Sequence, residues 1–88
     1  MKVTEVRVTK IEDKGNLKAF ASVCLDDSFV VDGFRIVEKD DNIMVFMPEK
    51  SKRNADGTYT RRNTAYPTEA TLRDDVVNSV KAAYEEKK

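Results

Sequence analysis

From Leu17 onward, Leu17, Ala19, Ala21, Val23 and Leu25 fall on every second position, with Lys18, Phe20, Ser22 and Cys24 between them. A period of two held this long predicts a β-strand, because successive side chains leave a strand on opposite faces. Val6 and Val8 mark an earlier strand, roughly Val3 to Ile11, joined to the second by the charged link Glu12-Asp13-Lys14-Gly15-Asn16. After Asp26-Asp27-Ser28 comes FVVDGFRIV, a β-branched and aromatic run. Lys39-Asp40-Asp41-Asn42 turns the chain again, IMVFM is a short apolar strand, and Pro48 ends it because proline cannot donate to the ladder. Links this short permit only antiparallel neighbours, so the front of the chain predicts a meander.

Beyond Pro48 the pattern changes. The segment 49–64 has no apolar period, and its landmark is Asp56-Gly57, a strong tight-turn signal. Both a loose basic hairpin and a disordered loop fit it. Tyr66-Pro67 leads into a helix over about 69–85, with Thr68 or Thr71 as cap and Glu69, Asp74 and Asp75 near its N-terminus. Leu72, Val76, Val77, Val80, Ala83 and Tyr84 make one apolar stripe, and the charged end Glu85 to Lys88 is expected to fray. The fold class is α+β, a four- to five-stranded antiparallel meander with one C-terminal amphipathic helix, in a single domain over 1–88.

Strict alternation puts apolar groups on both faces of the sheet. Strand three offers Phe29, Val31 and Val37 on one side and Val30, Phe34 and Ile36 on the other. Strand four divides Ile43, Val45 and Met47 from Met44 and Phe46. One helix covers one face. Leaving large side chains of the other face wet forgoes about 1.5–3 kcal/mol each, so a second copy of the chain is the expected cover, as a homodimer. A sheet twisted over on itself is the alternative.

Composition narrows the chemistry. The 88 residues are 40% hydrophobic and 36% charged, enough apolar content for a core, with sixteen bases balancing sixteen acids. There is no histidine, which excludes Ser-His-Asp and Cys-His catalysis and HExxH zinc sites. A lone cysteine, Cys24, closes no intrachain disulfide and is expected to be a packed, idle thiol in a reducing cytoplasm. The opening MKVTEVRV lacks the apolar run of a signal peptide, and no stretch approaches the ~20 apolar residues of a membrane span. Asp26-Asp27 and Asp40-Asp41 are turn formers rather than calcium ligands, and the three glycines are too scattered to cradle a phosphate. No metal, cofactor, small-molecule substrate or enzyme activity is expected.

The neutral total hides an uneven distribution. Residues 1–49 carry seven bases against ten acids, a net −3, and residues 50–88 carry nine against six, a net +3. Between Lys50 and Arg62, the five bases Lys50, Lys52, Arg53, Arg61 and Arg62 face only Asp56. Such a cluster either meets phosphates or is an ordinary solvated loop. Tyr59 and Tyr66 flank the arginine pair and could stack on bases, although Tyr66 beside Pro67 fits better as a plug at the rim of the core.

Taken in order, FVVDGFRIVEKDDNIMVFMP, a basic stretch, DGTY, AYP and TEATLRDDV resemble the SpoVG family of bacterial septation and sporulation proteins. MKVTEVRV and LKAFASVCLDDSFVV follow the same pattern, so the resemblance spans residues 1–84. It implies a small α+β protein that dimerises, binds DNA and also RNA as a regulator, and takes part in cell division, septation and sporulation. The family's basic stretch falls on Lys50, Lys52 and Arg53, and its helix-start arginine on Arg73. Ala65-Tyr66-Pro67 stands where the family usually has Ala-His-Pro, and Asp32 where it often has histidine, so no imidazole role transfers. The stretch before Tyr66 is read as longer and more basic than usual, with Arg61-Arg62 added. The nucleic-acid-binding candidates are therefore Lys50, Lys52, Arg53, Arg61, Arg62 and Arg73. A protein-interaction module of the division machinery, with an incidental basic arm, is the competing reading.

Overall fold

The computed structural model describes residues 1–87, with the backbone alone for residues 12–14. Its elements are β1 (Val3–Lys14), β2 (Leu17–Leu25), β3 (Phe29–Lys39), β4 (Asn42–Phe46), β5 (Glu49–Arg53), β6 (Tyr59–Asn63) and α1 (Ala70–Lys87). The first four form an antiparallel sheet in chain order, and β5 and β6 form a separate two-stranded sheet. This is the expected α+β meander with one helix. β1 runs further than its apolar residues indicate, so the link to β2 shrinks to Gly15-Asn16. No helix among the described residues is long and apolar enough to cross a membrane.

The paired aspartates are what their positions suggest. Asp26 and Asp27 have φ of 51° and 53°, and Asp40 and Asp41 have φ of 52° and 65°. Two consecutive left-handed residues give the turn whose twist matches flanking strands, and aspartate tolerates that region better than most residues. Asp26 also ties down the chain start. Its backbone N–H donates to the Lys2 carbonyl at 2.8 Å, and its carboxylate accepts from the Lys2 N–H at 2.9 Å.

Between β2 and β3 the register jumps. Ala21 pairs with Phe34 and Val23 with Val31, so Ser22 alone lies opposite both Asp32 and Gly33. An extra residue in one strand is a β-bulge, and it rotates everything beyond it to the other face. Gly33 has φ +95°, and a Cβ there would stand 3.4 Å from the Pro48 Cβ. The bulge overturns the strict alternation expected of β3. Val31 shares a face with Phe34 and Ile36, both buried under the helix, while Val30 stays on the open side, 62% exposed. A Gly33→Ala protein is expected to lose about 1–3 kcal/mol through backbone strain, measurable by urea denaturation. An unchanged midpoint would mean that the bulge relaxes freely.

The core lies between the sheet and α1. Val8, Ala19, Ala21, Val23, Leu25, Phe34 and Ile36 meet Val76, Val80 and Tyr84, which recur every fourth residue along the helix. The Tyr84 hydroxyl donates to Glu38 Oε1 at 2.9 Å, so the buried phenol keeps a polar partner. At the helix start the Arg73 N–H donates to the Glu69 carbonyl at 3.0 Å, which leaves Thr71 inside the first turn rather than at the cap. At the other end α1 continues to Lys87, against the expected fraying from Glu85. The Lys87 ammonium donates to the Val8 carbonyl at 2.6 Å, and Lys10 Nζ donates to the Lys87 carbonyl at 3.3 Å. Lys88, the last residue of that expectation, lies outside the described residues.

Among the described residues, no helix or strand covers the opposite face of the sheet. Phe20, Met44 and Phe46 are each about two-fifths exposed there, beside Val30. A second apolar face is therefore present, and Phe34 and Ile36 lie on the covered one.

Candidate nucleic-acid interface

Of the two readings of segment 49–64, the structure shows the hairpin. Its strands pair Lys50 with Arg62, Ser51 with Arg61, Lys52 with Thr60 and Arg53 with Tyr59. All of β6 is exposed, and so is β5 except for half-buried Glu49. The arm has no core of its own and owes its order to its turn and its base.

The turn is built from short polar side chains. The Asn54 N–H donates to the Thr58 carbonyl at 2.7 Å, and the Gly57 N–H to the Asn54 carbonyl at 3.1 Å. The Asn54 amide donates across the hairpin to Thr58 Oγ1 at 3.1 Å and Thr60 Oγ1 at 2.8 Å. Asp56 Oδ1 accepts from the Thr58 hydroxyl at 2.6 Å and the Thr58 N–H at 3.0 Å. These bonds, the hydroxyl first, hold the Asp56 carboxyl below its ordinary value. A lowered carboxyl stabilises the turn above the unfolded-state value, and that support is lost as pH falls through the folded one.

The base is clamped to the meander. Buried Pro48 packs against Gly33, and its carbonyl accepts from the Thr64 N–H at 2.8 Å and the Thr64 hydroxyl at 3.3 Å. Arg35 Nη2 meets Glu49 Oε1 at 2.7 Å, both side chains largely shielded. The Arg35 guanidinium also lies 5.6 Å from the centre of the Phe46 ring, beside which its buried Nε has no hydrogen-bond partner. Contact between cation and ring offsets part of that desolvation. Arg35 thus occupies Glu49, leaving Asp56 as the other acid of the arm.

Register decides which cations act together. Side chains two apart along a strand share a face, as do direct cross-strand partners. Lys50, Lys52 and Arg62 therefore sit on one face with Thr60, lining a concavity of about 620 Å³ that Ser51, Asn54 and Thr64 complete. An adjoining hollow runs from Arg62 and Thr64 to Tyr66 and Arg73. Arg53 and Arg61 point to the other face with Tyr59. Four of the six candidate residues are brought together, and two are turned away. Adjacent Arg61 and Arg62 diverge because successive side chains leave a strand on opposite faces.

Other candidates also moved. Tyr59 and Tyr66 are 65% and 58% exposed, so Tyr66 borders the core cleft beside Pro67 and Leu72 without being sealed into it. Cys24 is half-buried on the open sheet face near Glu5, Arg7 and Val30, not packed in the core. Among the described residues no group of acids and thiol could hold a metal ion. Asn54, Thr60, Thr64 and Arg35 were not singled out from the sequence. Counting outward from a two-residue Asp56-Gly57 turn would pair Thr60 with Arg53, one position off the observed partner Lys52, and no local signal marks Thr64 or Arg35.

A four-stranded meander carrying one helix, with a basic two-stranded arm clamped at its end, defines a class of small α+β protein. The chain belongs to the SpoVG family, whose model matches residues 1–86. Staphylococcal proteins named "Putative septation protein SpoVG" are similar over 98% of this chain. The Staphylococcus saprophyticus protein is 42% identical over 81% of its own length, that of Staphylococcus carnosus 41% over 77%, and that of Staphylococcus aureus 38% over 82%. Family and names support a role in septation or sporulation.

Proposed function

We propose that this protein is a nucleic-acid-binding regulator of cell division, septation and sporulation, working in the cytoplasm as a homodimer. The supporting observation is the β5–β6 arm: five exposed cations on a preorganised ribbon, one flanking acid tied to Arg35 and the other to Thr58. A molecule of zero net charge has little long-range field, so phosphate attraction must come from this arm at short range. DNA and RNA share the phosphate that the arm addresses.

A titration on random duplex DNA, single-stranded DNA and RNA at two salt concentrations tests the proposal. Binding should weaken steeply with salt, by about 0.9 in log–log slope per phosphate met on duplex DNA. Salt-independent binding, or none, would favour a protein target instead.

The homodimer covers the open sheet face. Phe20, Val30, Met44 and Phe46 form a patch of the kind that marks an interface, and two-fold closure on a second copy buries it twice. Sedimentation should give twice 10.0 kDa, and a Phe20→Asp protein should sediment as a folded monomer. A monomeric parent would remove the homodimer from the proposal.

A further inference from the structure

Resting on that nucleic-acid reading, we infer that the β5–β6 ribbon enters the major groove of duplex DNA lengthwise, its two faces turned to the two phosphate walls. The distinctive observation is that both faces carry cations, Lys50, Lys52 and Arg62 on one and Arg53 and Arg61 on the other. A surface laid flat on a single strand, or across the outside of a duplex, needs cations on one face only. A groove presents phosphates on both sides at once.

Dimensions agree. The major groove of B-form DNA is about 12 Å wide and admits a two-stranded ribbon. Five-residue strands reach about 17 Å, roughly half a helical turn of DNA. A straight element of that length can stay in the groove before it curves away. The exposed ribbon, with Thr60 and Asn54 on or beside one face, has nothing to shed before entering. Its clamped base holds it in a defined direction, through Pro48 against Gly33 and Arg35 against Glu49.

The tip constrains the approach. Asp56 sits in the turn, and its hydrogen bonds to Thr58 keep the carboxylate ionised. Tip-first entry would press this charge toward phosphates, whereas lengthwise entry leaves it at the end of the contact. A-form RNA duplexes have a deep, narrow major groove that side chains cannot read, so the same geometry disfavours double-stranded RNA.

Two double variants and a modified DNA test the inference in the full-length chain. Lys50→Ala with Lys52→Ala clears one face, and Arg53→Ala with Arg61→Ala reduces the other. On duplex DNA each pair should flatten the salt slope by about 1.8 units, two phosphate contacts at 0.9 apiece. Duplex whose major groove is filled by glucosylated 5-hydroxymethylcytosine, and an RNA duplex of the same sequence, should both bind at least about tenfold more weakly than plain duplex DNA. A minor-groove ligand should leave binding unchanged. If one pair leaves the slope untouched, or the glucosylated duplex binds as well as the plain one, the ribbon lies on a surface and the inference fails while the nucleic-acid proposal stands. Absence of salt-dependent binding to every nucleic acid would overturn both.

Discussion

A protein with Lys50, Lys52 and Arg53 replaced by alanine is expected to lose nucleic-acid binding by roughly a hundredfold, at about 1 kcal/mol for each exposed charged contact. Its salt slope should flatten by about 2.7 units, three contacts at 0.9 each. Weakening should be similar across sequences, since phosphates carry no sequence information. All three side chains are exposed, so fold and oligomeric state should not change. Arg73→Ala should cost less, because Asp74 and Asp75 follow it in the chain and partly offset its charge. Filter binding or fluorescence anisotropy at several salt concentrations measures both quantities. A triple variant that binds like the parent, with the parent's slope, would reduce the arm to a solvated hairpin and put the protein-interaction reading first.

The second large effect concerns stability. Ile36 is fully buried, paired across the sheet with Ala19 and Val45 beneath the helix. Truncating it to alanine removes three heavy atoms from a site that cannot readily collapse, since Ala19 is already small. The expected cost is about 2–5 kcal/mol, a large fraction of the ~5–15 kcal/mol that holds a domain folded. A fall in Tm of about 8 °C or more follows, at about 4–8 °C per kcal/mol for a domain this small. Phe20→Ala is the informative contrast. On the open face it should barely change monomer stability but should weaken association. Equal melting losses in the two variants would contradict the division of the sheet into a covered and an uncovered face.

The strands of the meander, their order and the presence of a helix were legible because each rests on local physics. A period of two from Leu17 to Leu25 has one reading, and the aspartate pairs at 26–27 and 40–41 sit where left-handed turns are needed. The apolar stripe on α1 likewise named Val76, Val80 and Tyr84 in advance. Charge clustering located the arm between Lys50 and Arg62, since that property adds up along the chain whatever the fold.

What the chain could not announce were the events between elements. The Asp32-Gly33 bulge brings Val31 onto the face of Phe34 and Ile36, against strict alternation, and its Gly33 sits against Pro48, fifteen positions further along the chain. A one-residue slip costs little locally, but it exchanges every face beyond it, so only packing under the helix selects it. Lys87 capping onto the Val8 carbonyl, and Arg35 taking Glu49, are likewise long-range contacts with no local signature. The same holds for the arm. Its charge was written in the sequence, but the division into Lys50, Lys52 and Arg62 against Arg53 and Arg61 follows from the cross-strand register, which exists only once β5 and β6 have paired.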